Sequence, residues 1–197
     1  MLWTSRPCFW VAATTVSSSP RVSKPHSQVT INSAMGSQYD FGVEGPVQAE
    51  VFVLYPADEG VELTGPCGAE PWYIDLADED DPVETVTRLV RANVGEPVVV
   101  HSTSWRAARD GVILSFAVVI DAETAAAFAS KPIVRAELAR SNATEAPVSI
   151  QAGQVVEHAL RHLAWLVKDD PVVAEKLSAE WKRLLDAYEP QPFRNLR

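Results

Sequence analysis

Chemistry near neutral pH needs titratable, nucleophilic or metal-binding side chains held close together, and four short stretches of this chain bring such residues together in sequence. DEDDPVE carries Asp78, Glu79, Asp80 and Glu84 around the start of a helical pattern. Carboxylate oxygens are the ligands magnesium takes, so these four acids can hold a divalent ion that polarises a phosphate and its attacking water. EHALRH spaces His158 and His162 four residues apart. On a helix both imidazoles then point the same way, a common geometry for a transition metal. HSTSWR gathers His101, hydroxyls, Trp105 and Arg106. Read as a plain strand, it puts His101, Thr103 and Trp105 on one face and Ser102, Ser104 and Arg106 on the other, and one of these sets can line a pocket. A Ser–His nucleophile pair is not expected, because neighbours on a strand point oppositely and no G-x-S-x-G elbow is present. GPCG, last, places the Cys67 thiol in a loop, where an ordinary loop cysteine is expected.

Each stretch also has structural work, and the elements that would position it can be read. Asp81 is an N-cap, Pro82 takes the first helical position and Glu84 completes an Asp-x-x-Glu capping box. Val83, Val86, Val90 and Val94 form the apolar face of that helix, with Glu84, Arg88 and Arg91 opposite. Acids at its start favour the positive helix terminus by some tenths of a kcal/mol each, roughly, at an exposed site. The histidine pair has no His-Glu-x-x-His pattern, so packing against Trp165 is expected and no metal. Strands are expected at Val47–Tyr55, ended by Pro56, in the VELTG that follows, at Trp72–Leu76, and in two runs joined at Asp110-Gly111, a hairpin signal. DAETAAAFASKP suggests a short helix or turn, and IVRAELAR, Ile133 to Arg140, alternates like a further strand. Helices are expected at Gln154–Val167 and, after an Asp-Asp-Pro punctuation, as one run from Pro171 to Tyr188.

The order of strand, Trp72-bearing strand, acidic loop, helix closed by Gly95 and further strands resembles the Nudix hydrolase fold. That family's signature is G-x5-E-x7-R-E-U-x-E-E-x-G-U, with U aliphatic. Laid without gaps, Arg88 matches its arginine, Val90 its first aliphatic and Gly95 its glycine, with Asp80 at the first glutamate. Ile74 and Glu96 depart from the pattern, and Leu89, Ala92 and Asn93 replace the three helical glutamates. Trp72 resembles the tryptophan that often precedes the signature. The resemblance covers roughly Val47 to Val167 and implies a fold made for magnesium-dependent diphosphate hydrolysis. Leucine and alanine cannot bind magnesium and Asn93 offers one neutral oxygen, so the frame is expected to persist without its metal.

The chain has 197 residues with a net charge of −9 and a pI near 4.9. Such a surface repels phosphate backbones, so neither nucleic acid nor an anionic membrane is an expected partner. Two unrelated cysteines fit a reducing, cytoplasmic setting. Residues 1–34 lack acids and read as an extension that is disordered or translated upstream of a start at Met35; Arg6 before CFWVAATTV leaves a secretory signal as the other reading. The expected architecture is α+β: a Nudix-like mixed sheet with flanking helices over 35–168, and a C-terminal helical hairpin completed by residues 169–197. The expected function is non-catalytic binding of a small molecule, of nucleotide type, or of a protein, with Trp72, His101, Trp105 and Arg106 as contacts and no cofactor. The alternatives are a magnesium-dependent hydrolase using Asp78 to Glu84, with Asp80, Glu84 and Arg88 as catalytic candidates, and an interaction module built on the Trp165/Trp181 hairpin.

Overall fold

The computed structural model describes residues 45–77, 79–138 and 150–190. The 1–34 extension, the start at Met35, Asp78 and the end of the C-terminal tail lie outside the described residues.

Among the described residues six strands make one mixed sheet: β1 (Val47–Ala57), β2 (Gly60–Thr64), β3 (Trp72–Leu76), β4 (Val99–Ala108), β5 (Gly111–Val119) and β6 (Ser130–Pro132). The helices described beside it are α1 (Pro82–Asn93), α2 (Ala122–Ala125), α3 (Ala152–Asp169), α4 (Pro171–Lys176) and α5 (Ala179–Leu185). The strand order is β4-β5-β1-β2-β6, with β3 also on β1. Strand β1 is the axis of this arrangement. It runs parallel to β5 on one side, from Val47↔Val112 to Leu54↔Val119. On the other side its first half pairs antiparallel with β3 and its second half with β2. A strand covered on both faces reads as a continuous apolar run, and VFVLY is one.

Alternation along β1 divides the interior into two cores. Ala49, Val51 and Val53 join Trp72, Ile74, Leu76, Phe116, Val118 and Ile120 beneath α1 and α2, which contribute Val86, Val90 and Ala125. Phe52 and Leu54 face the other way, against Val155, Val156, Ala159, Leu160 and Leu163 of α3, together with Leu177, Trp181, Leu185 and Tyr188. The molecule is therefore an α+β layered structure with helices on both faces of a mixed sheet.

Three expectations about elements are corrected. Pro56 does not end β1: it sits buried within the strand, opposite Val61. The strand expected at 133–140 is not formed over the described residues 133–138. Pairing there stops after β6, because Arg135 leaves the sheet to reach Glu157 of α3, donating from Nε at 2.9 Å and from Nη2 at 3.0 Å. Glu157 is wholly buried and also accepts from Arg161, while Arg135 lies over the Tyr188 ring at 4.1 Å. The single helix expected from Pro171 to Tyr188 is two helices. Leu177 takes an extended conformation, and the Ser178 hydroxyl accepts from the Trp181 N–H to cap a new start.

Candidate functional site

The layer between the sheet and α3 holds the buried polar side chains Glu50, Ser115, Glu157 and His162, and β1 supplies the first. Glu50 shares its side of the strand with Phe52 and Leu54 and is 1% exposed. A buried carboxylate needs partners, and its strand neighbours provide them. Tyr73, opposite on β3, donates its hydroxyl to Oε1 at 2.7 Å. Arg106 of β4 donates from Nη1 to Oε2 at 2.6 Å and to the Ser115 hydroxyl at 3.2 Å. Burial, and then the bond to Glu50, pushes the Tyr73 phenol up to about 12. The same carboxylate raises Arg106.

Arg106 reaches Glu50 because β4 is bulged. Its register passes from Ser102↔Phe116 directly to Ser104↔Ser115, leaving Thr103 as the extra residue with its hydroxyl bonded to the Ser115 carbonyl at 3.1 Å. The plain alternation expected for HSTSWR is thereby corrected. One extra residue inverts the parity beyond it, so Ser104 and Arg106 share a side with His101, and Trp105 moves to the opposite side.

Farther along the same face, α3 lays His158, His162 and Trp165 against β4. His101 Nε2 and His162 Nδ1 are 2.9 Å apart in a hydrogen bond, with ring centroids separated by 4.7 Å. His158 stacks at 6.3 Å and Trp165 at 5.5 Å on either side of the His162 ring. The backbone of Thr103 holds His158. All three imidazoles titrate below the usual histidine range. Burial is the main cause for each, and His162 is driven down to about 4, with His101 and His158 adding repulsion. The two bonded nitrogens face each other rather than a common third point. Among the described residues no set of three His, Cys, Asp or Glu side chains is placed to hold a metal ion.

The other residues singled out from sequence are dispersed. Trp72 is 4% exposed in the core under α1, whereas Trp105 is 70% exposed at the edge. His101 and Arg106 share the α3 face. Asp81 caps α1, accepting from the Glu84 N–H at 2.8 Å, and Asp80 accepts from the Ala77 N–H at 3.0 Å. Glu79, Glu84 and Arg88 are exposed. Glu84 and Arg88 line an open depression on the flank of α1 with Thr87, Arg91 and Ala92. Leu89 packs against the core, and Asn93 donates its amide to the Leu89 carbonyl of its own helix at 2.8 Å. Cys67 is half-buried and packs against the same core.

Glu50 and Tyr73 were not singled out by sequence reasoning. The one available signal was a lone glutamate inside VQAEVFVLY, since a charge in an apolar strand implies a partner elsewhere. No protein-family model matches this chain, and no curated protein is similar to it.

Proposed function

We propose that this protein is a non-catalytic binding protein on a Nudix-like frame, taking a small molecule of nucleotide type. The observation that carries the reading is what occupies α1 at the three positions where the resemblance asks for carboxylates. Leu89 is turned toward the core, Asn93 is bonded to its own helix, and Ala92 lies on the exposed flank. None of these can hold magnesium over a diphosphate, so a ligand bound there keeps its bonds. Support for binding comes from Arg106. Its guanidinium is fixed on a strand by a buried carboxylate while its side chain keeps 22% of its exposure, and a pre-oriented guanidinium suits phosphate oxygens.

Of the acids the magnesium-dependent alternative would use, Asp80 already accepts from the backbone in a turn, and Glu79 and Glu84 are exposed to solvent. An interaction module built on Trp165 and Trp181 would rest on a Trp181 that is 2% exposed in the core and a half-buried Trp165 stacked on His162.

The test is calorimetric titration of the full chain with nucleoside mono- and diphosphates, run beside a Mg²⁺ and Mn²⁺ turnover panel. Saturable binding without phosphate release is expected, and Arg106→Lys should weaken it about tenfold or more by losing the planar fork. Divalent-dependent phosphate release that disappears in Glu84→Gln would overturn the proposal in favour of hydrolysis. The absence of any saturable binding across the panel would also overturn it.

A further inference from the structure

Three of the chain's four histidines meet in one place, the seam where α3 lies on the edge strand β4. Their arrangement tolerates few protons. The 2.9 Å bond between His101 Nε2 and His162 Nδ1 needs one nitrogen to donate and the other to accept. A proton on the accepting nitrogen sets two N–H groups against each other. Within 6.3 Å lies the third ring, so a fully protonated seam holds three like charges close together, with His162 buried and His101 and His158 half-buried.

Among the described residues the surrounding charges do not compensate. On α3 the nearest is Arg161, which lowers His158 further. Glu157 is committed to Arg135 and Arg161. On β4 the next charge is Arg106, held by Glu50 of β1. From β5 the residues beside the seam, Ser115 and Ala117, carry no charge. Helices α4 and α5 pack on α3 through Leu177, Trp181 and Leu185. Their charged residues Glu175, Lys176, Glu180, Lys182 and Arg183 do not contribute to the shift of any of the three histidines.

We propose that this three-histidine seam is an acid-sensitive latch: protonation parts α3 from β4 while the α1 side of the sheet stays packed. The direction follows from linkage. A histidine whose folded pKa lies below its unfolded value of about 6.5 stabilises the closed state fully above that value, and the contribution fades as pH falls toward the folded pKa. For His162 the window runs from about 6.5 down to about 4. Across it, opening becomes about tenfold easier per pH unit for each histidine that takes up a proton. The two separate cores allow one face to loosen before the other.

The experiment is amide hydrogen exchange on the full chain from pH 7.5 to 4.5, corrected for the intrinsic pH dependence of exchange, comparing α3 with α1. Protection of α3 should fall by at least tenfold per unit below about pH 6.5, while that of α1 holds. His162→Gln should flatten the response of α3. If that variant does not fold, His158→Gln, at a half-buried position, should reduce the slope by about one proton. Constant α3 protection across the range would overturn the proposal. So would simultaneous loss of α1 and α3, or a response unchanged in the glutamine variants.

Discussion

Among single residues, Glu50 has the most demanding environment. Its carboxylate lies inside the sheet layer, and three neighbours from three strands keep it tolerable: Tyr73, Ser115 and Arg106. A buried ion pair adds little against an apolar pair of equal volume, yet removing one partner strands the other. Arg106→Ala should therefore cost about 3–5 kcal/mol, the larger part being the carboxylate left behind. In a chain of this size that is a fall in Tm of roughly 6–20 °C, measurable by calorimetry. The double variant Glu50→Leu, Arg106→Met should recover most of the loss. If the double variant is as unstable as the single one, packing rather than stranded charge is what Arg106 supplies. Arg106 was visible in the sequence as a site residue, but its partner was not. The identity of that partner depends on the register of three strands and on one bulge, which no local pattern encodes.

At the scale of elements, the end of α1 depends on a glycine for two separate reasons. Gly95 adopts φ +142°, and a Cβ there would sit 2.8 Å from Thr124 Cγ2. Gly95→Ala should thus cost about 1–3 kcal/mol by backbone strain, with the methyl contact added. Combining it with Thr124→Ser removes the contact and leaves the strain. Chemical denaturation should show partial recovery; full recovery would mean that the backbone conformation costs nothing. The Gly95 stop, the Asp81 cap and the Val86, Val90 and Val94 part of the valine face of α1 could be read in advance from residues within two turns of one another, whereas Val83, expected on that face, is 45% exposed. The same locality explains why Trp72–Leu76 and the Asp110-Gly111 hairpin were legible. Elsewhere, local signals conflicted with distant contacts. The alternation of Ile133–Arg140 looked like a strand until Arg135 was claimed by Glu157, which is 22 residues away. The apolar spacing of Val173, Leu177, Trp181, Leu184 and Tyr188 runs unbroken across the interruption at Ser178, so periodicity alone showed one helix where there are two. Parity along β4 failed for the same reason at smaller scale, one extra residue at Thr103 reversing every side chain after it.

For the molecule as a whole, the C-terminal segment from Leu177 to Tyr188 contributes to the interior, whereas α4 itself buries no residue. Leu177, Trp181, Leu185 and Tyr188 are each at most 7% exposed and close the core beneath α3. At about 1.5–3 kcal/mol for each large apolar side chain, they represent roughly as much free energy as a domain's entire net stability. A chain ending at Asp170 should lose its near-ultraviolet circular dichroism and bind hydrophobic dyes; a cooperative melt within a few degrees of the parent would show that α4 and α5 are appendages. No helix among the described residues is long and apolar enough to cross a membrane.

The parallel pairing of β1 with β5 carries a consequence for the chain while it is being made. Glu50 and Ser115, partners in that pairing, are 65 residues apart in sequence. At about 5–20 residues per second of synthesis, β1 must wait several seconds after emerging from the ribosome for the strand that covers one of its edges. During that interval β2 and β3 can already dress its other edge, since both follow it closely and pair antiparallel. The half-built intermediate is then β1 with β3 and β2 paired along successive halves of one edge and the other edge bare, a template on which a second nascent chain can pair as readily as the missing strand. Glu50 sits in the middle of that border. In the finished protein Arg106 pairs with it; before Arg106 is made, a carboxylate at that place disfavours pairing with an apolar strand of a second chain.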